Sequence, residues 1–252
     1  MASWQWFHRL GSPRWFYEKT NAWMPWLAGL SFLLVAIGVI WGLGFAPTDY
    51  KQLHSYRIIY IHVPASAVAM AGYYVMAIAG GVGLIWRMKL AFMTMKSAAV
   101  VGALLTFISL VSGSIWGRPT WNTWWVWDAR IVSVLILFFL YLGVLALQDA
   151  YQDQESGDKT SAILALVGTV NIPIIYYSVE WVLTLHQGAT IKMTGDSTIS
   201  AAMAYPLIWM ILAFYVMYAT LVLAYTRFEV LKRERKTRWV EDLVKAEAGE
   251  AA

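Results

Sequence analysis

The sequence predicts an all-α membrane protein with six transmembrane helices and a short tryptophan-rich helix between the third and the fourth. Three observations carry that expectation. Of 252 residues, 60% are hydrophobic and only 13% charged, where a soluble domain is nearer half apolar and a quarter charged. The apolar residues gather into six stretches near the length of about 20 residues that a helix needs to cross a bilayer. A run of indoles then separates the third stretch from the fourth.

The stretches cover roughly residues 23–45, 58–86, 97–116, 131–147, 160–179 and 201–226, and none holds Asp, Glu, Lys or Arg. The first is longer than the apolar core of about 7–15 residues in a secretory signal, and no small-residue cleavage pattern follows it, so it reads as a retained span. The fourth is short and begins close to the tryptophan segment. Residues 1–226 read as one membrane domain and 227–252 as a separate tail. In that tail charge alternates with Phe228, Val230, Leu231, Trp239, Val240, Leu243 and Val244. Such a pattern suits a helix lying on an anionic leaflet or a solvated extension of the sixth span.

An even number of spans puts both termini on one side. The N-terminal segment, the second and fourth loops and the tail hold 14 of the 19 Lys and Arg residues. The remaining five are Lys51, Arg57, Arg118, Arg130 and Lys192, in the first, third and fifth loops. The positive-inside rule therefore places both termini in the cytoplasm of a bacterial inner-membrane protein. The tryptophan segment then faces the periplasm. The net charge of +4 is loop asymmetry and not a nucleic-acid footprint.

Cysteine is absent, which excludes disulfides, thiolate metal sites and the Cys-x-x-Cys-His attachment of a c-type haem. No phosphate loop, paired carboxylate within a span or Ser/His/Asp spacing is present, so no enzymatic chemistry is expected and any ATP hydrolysis belongs to a partner.

Residues 116–130 read Trp-Gly-Arg-Pro-Thr-Trp-Asn-Thr-Trp-Trp-Val-Trp-Asp-Ala-Arg, and five of the chain's 15 tryptophans fall within the first twelve of them. Scattered indoles such as Trp4, Trp23, Trp26 and Trp209 suit an ordinary interfacial belt. The segment has more order. Trp121, Trp124, Trp125 and Asp128 stand at i, i+3, i+4 and i+7, which is one face if the segment is helical. Pro119 suits the first turn of such a helix. A face of flat rings suits a large planar apolar ligand, with Arg118 or Arg130 for a carboxylate at its edge. Asp128 is better placed to cap a helix or to orient Arg130.

His62, in Tyr-Ile-His-Val-Pro, stands at the outer end of the second span, and His186, in Leu-His-Gln-Gly, just past the outer end of the fifth. Both face the side that carries the tryptophans. Two neutral imidazoles can hold a haem iron from opposite faces. A polar residue within a span is a functional candidate by default, which covers His62. His54 reads as an interfacial polar residue, and His8 lies on the other side. Arg57 suits either a propionate or an interfacial role. Pro64 and Pro173 are expected to kink their helices.

The run from Trp116 to Arg130 resembles the WWD signature of haem-handling proteins. The span number, the length and the two histidine motifs are similar to its CcmC branch. Relatives in that family that perform haem ligation carry more spans and more histidines. The resemblance covers nearly the whole chain and implies a subunit of an ABC-type haem release complex in cytochrome c maturation. Such a subunit binds non-covalent haem b and loads it onto the periplasmic chaperone CcmE, beside the ATPase CcmA, the membrane subunit CcmB and the small CcmD. It implies His62 and His186 as axial ligands. It also implies Trp116, Trp121, Trp124, Trp125, Trp127, Asp128 and Arg130 as platform and chaperone contact. A bis-histidine b-type cytochrome and a cofactor-free scaffold are the competing readings of the same residues.

Overall fold

A computed structural model of the protein describes residues 11–182, 184–186 and 199–250, without the side chains of 247, 248 and 250. Trp4, His8, Arg9, Lys192 and the Gln187-Gly188 pair lie outside the described residues.

The architecture is all helical, with six helices long and apolar enough to cross a membrane. A short helix α1 (Pro13–Asn21) is capped by Ser12 and leads into α2 (Met24–Val39), whose last turn widens into a π-helix over Ile40–Phe45. A 3-10 turn (His54–Ile58) opens α3 (Ile59–Trp86), and α4 (Lys89–Trp121) and α5 (Ala129–Ala150) follow. The fifth span is two helices, α6 (Gln154–Val167) and α7 (Asn171–Trp181), joined by a 3-10 turn over Gly168–Val170. The break has a local cause: Pro173 has no N–H to donate to the carbonyl of Thr169, four residues earlier. Helix α8 (Ala201–Arg233) is the sixth span, and α9 (Arg238–Glu250) is the last helix among the described residues.

Helix α3 is the hub and packs against α4, α6 and α8, while α2 packs on α8, and α5 packs on α4, α6 and α7. With lipid outside, burying apolar surface gives little drive for helix pairing, so close packing and interhelical hydrogen bonds carry more of it. Three buried tyrosines supply both. Tyr141 donates to the carbonyl of Ala69 at 2.7 Å, Tyr218 to that of Gly72 at 3.2 Å and Tyr60 to that of Met203 at 3.3 Å. Each ring also lies against a glycine of the neighbouring helix: Tyr141 on Gly102, Tyr218 on Gly72 and Tyr60 on Gly42. A side chain at any of the three would displace the ring.

The helices outrun the apolar stretches. Helix α4 has 33 residues, roughly 50 Å at about 1.5 Å per residue, against a hydrocarbon core of about 30 Å. The extensions carry charges that pair with one another at the end of the bundle opposite the tryptophans. Lys96 is buried and donates to Asp149 at 2.7 Å. Buried Asp158 of α6 takes both guanidinium nitrogens of Arg233 of α8, at 2.7 and 3.0 Å, and the amide of Gln148 of α5 at 3.0 Å. Glu229 adds a second carboxylate 3.6 Å from Arg233. Arg227 donates to the Tyr17 carbonyl, Thr20 and Asn21 of α1. Trp239 of α9 packs with Phe16 and Tyr17 on a small apolar cluster of Leu90, Met93 and Val230. Part of the tail is thus folded back on the bundle.

Arg233→Met leaves buried Asp158 without its cation and Glu229 with only Lys232 at 3.9 Å, and should destabilise the protein by about 3 kcal/mol. Thermal unfolding of the detergent-purified chain reads this as a lower midpoint. Adding Asp158→Asn and Glu229→Gln should recover most of the loss.

Candidate functional site

At the tryptophan end, α3, α4, α5, α7 and α8 part around a cavity of about 480 Å³, a volume usual for small-molecule sites. Its outer part is lined by His62, Trp121, Trp124, Trp125, Arg130 and His186, and its deeper part by apolar side chains that include Met70, Leu137 and Ile211.

His62 is the fourth residue of α3, and its ring reaches across to α4. Its Nδ1 lies 3.0 Å from the carbonyl oxygen of Ser109 and 3.1 Å from the hydroxyl of Ser112. A carbonyl can only accept, so Nδ1 carries the hydrogen and Nε2 keeps its lone pair. Ser112 spends its own hydrogen on the Ile108 carbonyl at 2.6 Å. Ser66 ties the same corner, donating to the His62 carbonyl at 2.7 Å with its hydroxyl 2.6 Å from that of Ser109. Gly113 leaves the room: a methyl there would stand 2.9 Å from His62 Cε1.

Trp116 braces the ring from the side. It is buried, its indole N–H donates to Gln52 at 2.7 Å, and it meets His62 and Tyr56 edge-on at 5.7 and 6.0 Å between ring centres. His186 follows α7 in the segment 184–186. Its backbone N–H donates to Thr184 at 3.0 Å, and Thr184 in turn donates to Asp128. The structure brings His186 to 6.3 Å from His62, ring centre to ring centre, with the planes tilted by 35°, and to 6.1 Å from Trp121.

The expected separate tryptophan helix does not form. Helix α4 runs on through Pro119 to Trp121 and stops at Asn122, whose φ of 59° is left-handed. Asparagine is one of the few side chains that adopts this conformation readily and ends helices there. Residues 122–128 then continue without helix. Thr123 accepts from the Trp125 N–H and donates to its carbonyl, and Ser114 donates to the Trp124 carbonyl at 2.7 Å. These local bonds replace a helical ladder. Trp116 and Trp121 therefore belong to a helix, while Trp124, Trp125 and Trp127 belong to a strap. The face proposed from i, i+3, i+4 spacing is replaced by a cavity wall assembled from both. Asp128 caps α5, accepting from the Ile131 N–H at 2.8 Å.

Two predicted contacts lie elsewhere. Arg57 donates to the carbonyls of Leu43 and Ala46 at 2.7 and 2.8 Å, closing the end of the π-helix. Arg118 is exposed and is bonded to Asn122. Neither lines the cavity, and nor do Asp128 or the exposed Trp127. Arg130 is the guanidinium that does. Ser109, Ser112 and Gly113 were not singled out from the sequence. A signal existed: with Trp116 they make a small and polar stripe at i, i+3, i+4 and i+7 in an otherwise apolar span.

The family profile described as heme exporter protein C, CcmC, matches residues 6–241. The chain is similar to proteins named heme exporter protein C from Escherichia coli strain K12 and from Haemophilus influenzae. The first is 48% identical over 96% of this chain and 97% of the relative, the second 46% over 95% and 98%. A protein of Marchantia polymorpha, named putative cytochrome c biosynthesis ccmC-like mitochondrial protein, is 40% identical over 81% of this chain and 87% of its own.

Asp128→Ala removes the α5 cap and the tie to Thr184, and about 1–2 kcal/mol of stability should go with it. Asp128→Asn keeps an accepting oxygen and should lose much less. Paired thermal melts of the two variants check the difference.

Proposed function

Because the chain belongs to the heme exporter protein C family, we propose that it binds haem b non-covalently at the periplasmic face of the inner membrane and passes it to the chaperone CcmE. In this reading both termini and the tail 227–252 are cytoplasmic, and residues 116–130 are periplasmic within the membrane domain 1–226. The partners are the ATPase CcmA, which hydrolyses ATP, and the membrane subunits CcmB and CcmD, in an ABC-type complex of cytochrome c maturation.

The observation that carries the reading is the opposition of two imidazoles at a cavity mouth. Histidine nitrogens bind first-row metals at about 2 Å, so two rings on one iron would have centres roughly 6 Å apart. The centres of His62 and His186 are 6.3 Å apart. His62 has its Nδ1 engaged by Ser109, and an imidazole anchored in this way offers the other nitrogen to a metal in a fixed direction. Arg130 supplies one charge for a propionate, and Trp121, Trp124 and Trp125 supply flat apolar surface for the macrocycle. Trp124 and Trp127, both exposed, form the contact offered to the chaperone, while buried Trp116 acts from beneath by bracing His62 and Asp128 by holding Thr184. Two protein ligands at an open rim suit cargo that must be released as well as captured.

His62→Ala and His186→Ala should each abolish the bis-histidine haem spectrum of the purified protein and the loading of CcmE. Normal loading by both variants would overturn the ligand assignment. Gly113→Ala sets a methyl 2.9 Å from His62 Cε1 and so pushes the ring. It should weaken haem binding by about ten- to a hundredfold, as displaced metal-orienting contacts do. Titration followed by absorbance measures it.

A further inference from the structure

The cavity does not end at the aqueous rim. It continues down the tryptophan-side halves of α3, α5 and α8 to Met70, Leu137 and Ile211, well inside the apolar stretches. Its wall has a discontinuity. Helix α7 packs on α5, and α8 packs on α2, α3 and α4, but α7 and α8 share at most a slight contact among the described residues. Two side chains of α8 that line the cavity, Ile208 and Leu212, are 43% and 59% exposed. They lie two and three turns below the start of α8, in line with Tyr205 and Tyr215, which are also exposed. A residue on the lipid-facing stripe of a span that also lines an internal cavity marks an opening in the wall. This opening is within the hydrocarbon.

We propose that haem reaches the His62–His186 site sideways, from the lipid leaflet at the tryptophan end, through the gap between α7 and α8 past Ile208 and Leu212. The inference rests on the haem-binding reading above and supplies its route. The chemistry of the passage fits the cargo. A haem dissolved in a leaflet lies with its ring among acyl chains and its carboxylates at the headgroups. The cavity has the same polarity: Arg130 and the imidazoles are at its outer end, and its lower end is wholly apolar. A ring sliding in edge-first keeps its carboxylates at one depth throughout and never exposes its apolar edge to water. Admission through the rim from water would need the opposite, since the ring would have to cross the polar groups first.

The test uses the whole chain reconstituted in phospholipid vesicles, with haem supplied in donor phospholipid vesicles and binding followed by the Soret band. Ile208→Trp and Leu212→Trp narrow the gap. Each should slow the appearance of the band by about tenfold, as steric gating of an encounter does, relative to the same variant's own rate when haem is supplied in detergent micelles. Leu212→Phe should give a smaller slowing. Unchanged rates in both tryptophan variants would overturn the route and leave the site intact. A lost final spectrum in either would place that residue in the binding surface and equally overturn it. A wild-type chain with no haem spectrum at all would overturn the binding reading, and the route with it.

Discussion

In hydrocarbon, a backbone or side-chain polar group with no partner inside the protein costs several kcal/mol, because no water is present to bond it. That constraint decides where this molecule can hold polar chemistry. Its long apolar helices satisfy their own backbones, and many of their buried hydroxyls bond back to carbonyls, as Ser97, Thr106 and Thr226 do, the Tyr73 hydroxyl being an exception. Most of the polar side chains that bond between helices fall in three places, apart from single ties such as Asn171 on the Ser133 carbonyl and Trp209 on the Leu34 carbonyl. The tyrosine hydroxyls bind neighbouring carbonyls. The charged cluster at the end far from the tryptophans is paired around Asp158. The third is the corner of His62, Ser66, Ser109 and Ser112, where an imidazole is held with one nitrogen engaged.

The two ends of the bundle differ in kind. At one, Asp158 and Arg233 join α6 to α8, and Lys96 and Asp149 join α4 to α5. Charges buried in pairs tolerate little rearrangement. At the other, helix ends diverge, and their surfaces are joined by edge-on aromatic contacts such as Tyr56 and His62 on Trp116. A cavity therefore sits where the helices are held loosely, above a base where they are held tightly. His62 belongs to the tight part through α3 and α4. His186 belongs to a short segment fixed by Thr184 and Asp128.

The spans were legible because lipid imposes a length on apolar runs, and all six appear where the hydropathy places them. Their ends were less legible. The rule that a span carries no charge stopped the third at Ser97, yet α4 begins at Lys89 because Asp149 on another helix neutralises Lys96. The tryptophan segment failed as a helix for a related reason: spacing records which residues would share a face, not whether the backbone continues. One asparagine in a left-handed turn settled that. For the site, topology alone placed both histidines at one level with the tryptophans. Arg57 could not be sorted from sequence, because its partners are carbonyls eleven and fourteen residues away. Ser109 was marked in the sequence only by its place in the small and polar stripe, because its carbonyl, not its side chain, bonds the imidazole.

The 3-10 turn at Gly168–Val170 has a mechanical corollary. A continuous helix resists bending along its full length because every turn is bonded to the next. Here the ladder is interrupted at mid-depth, so the fifth span is two levers on a common joint. The lower one is tied to α8 through Asp158 and Arg233, and the upper one to α5 through the Asn171 amide on the Ser133 carbonyl. The two halves of one membrane crossing thus answer to different neighbours.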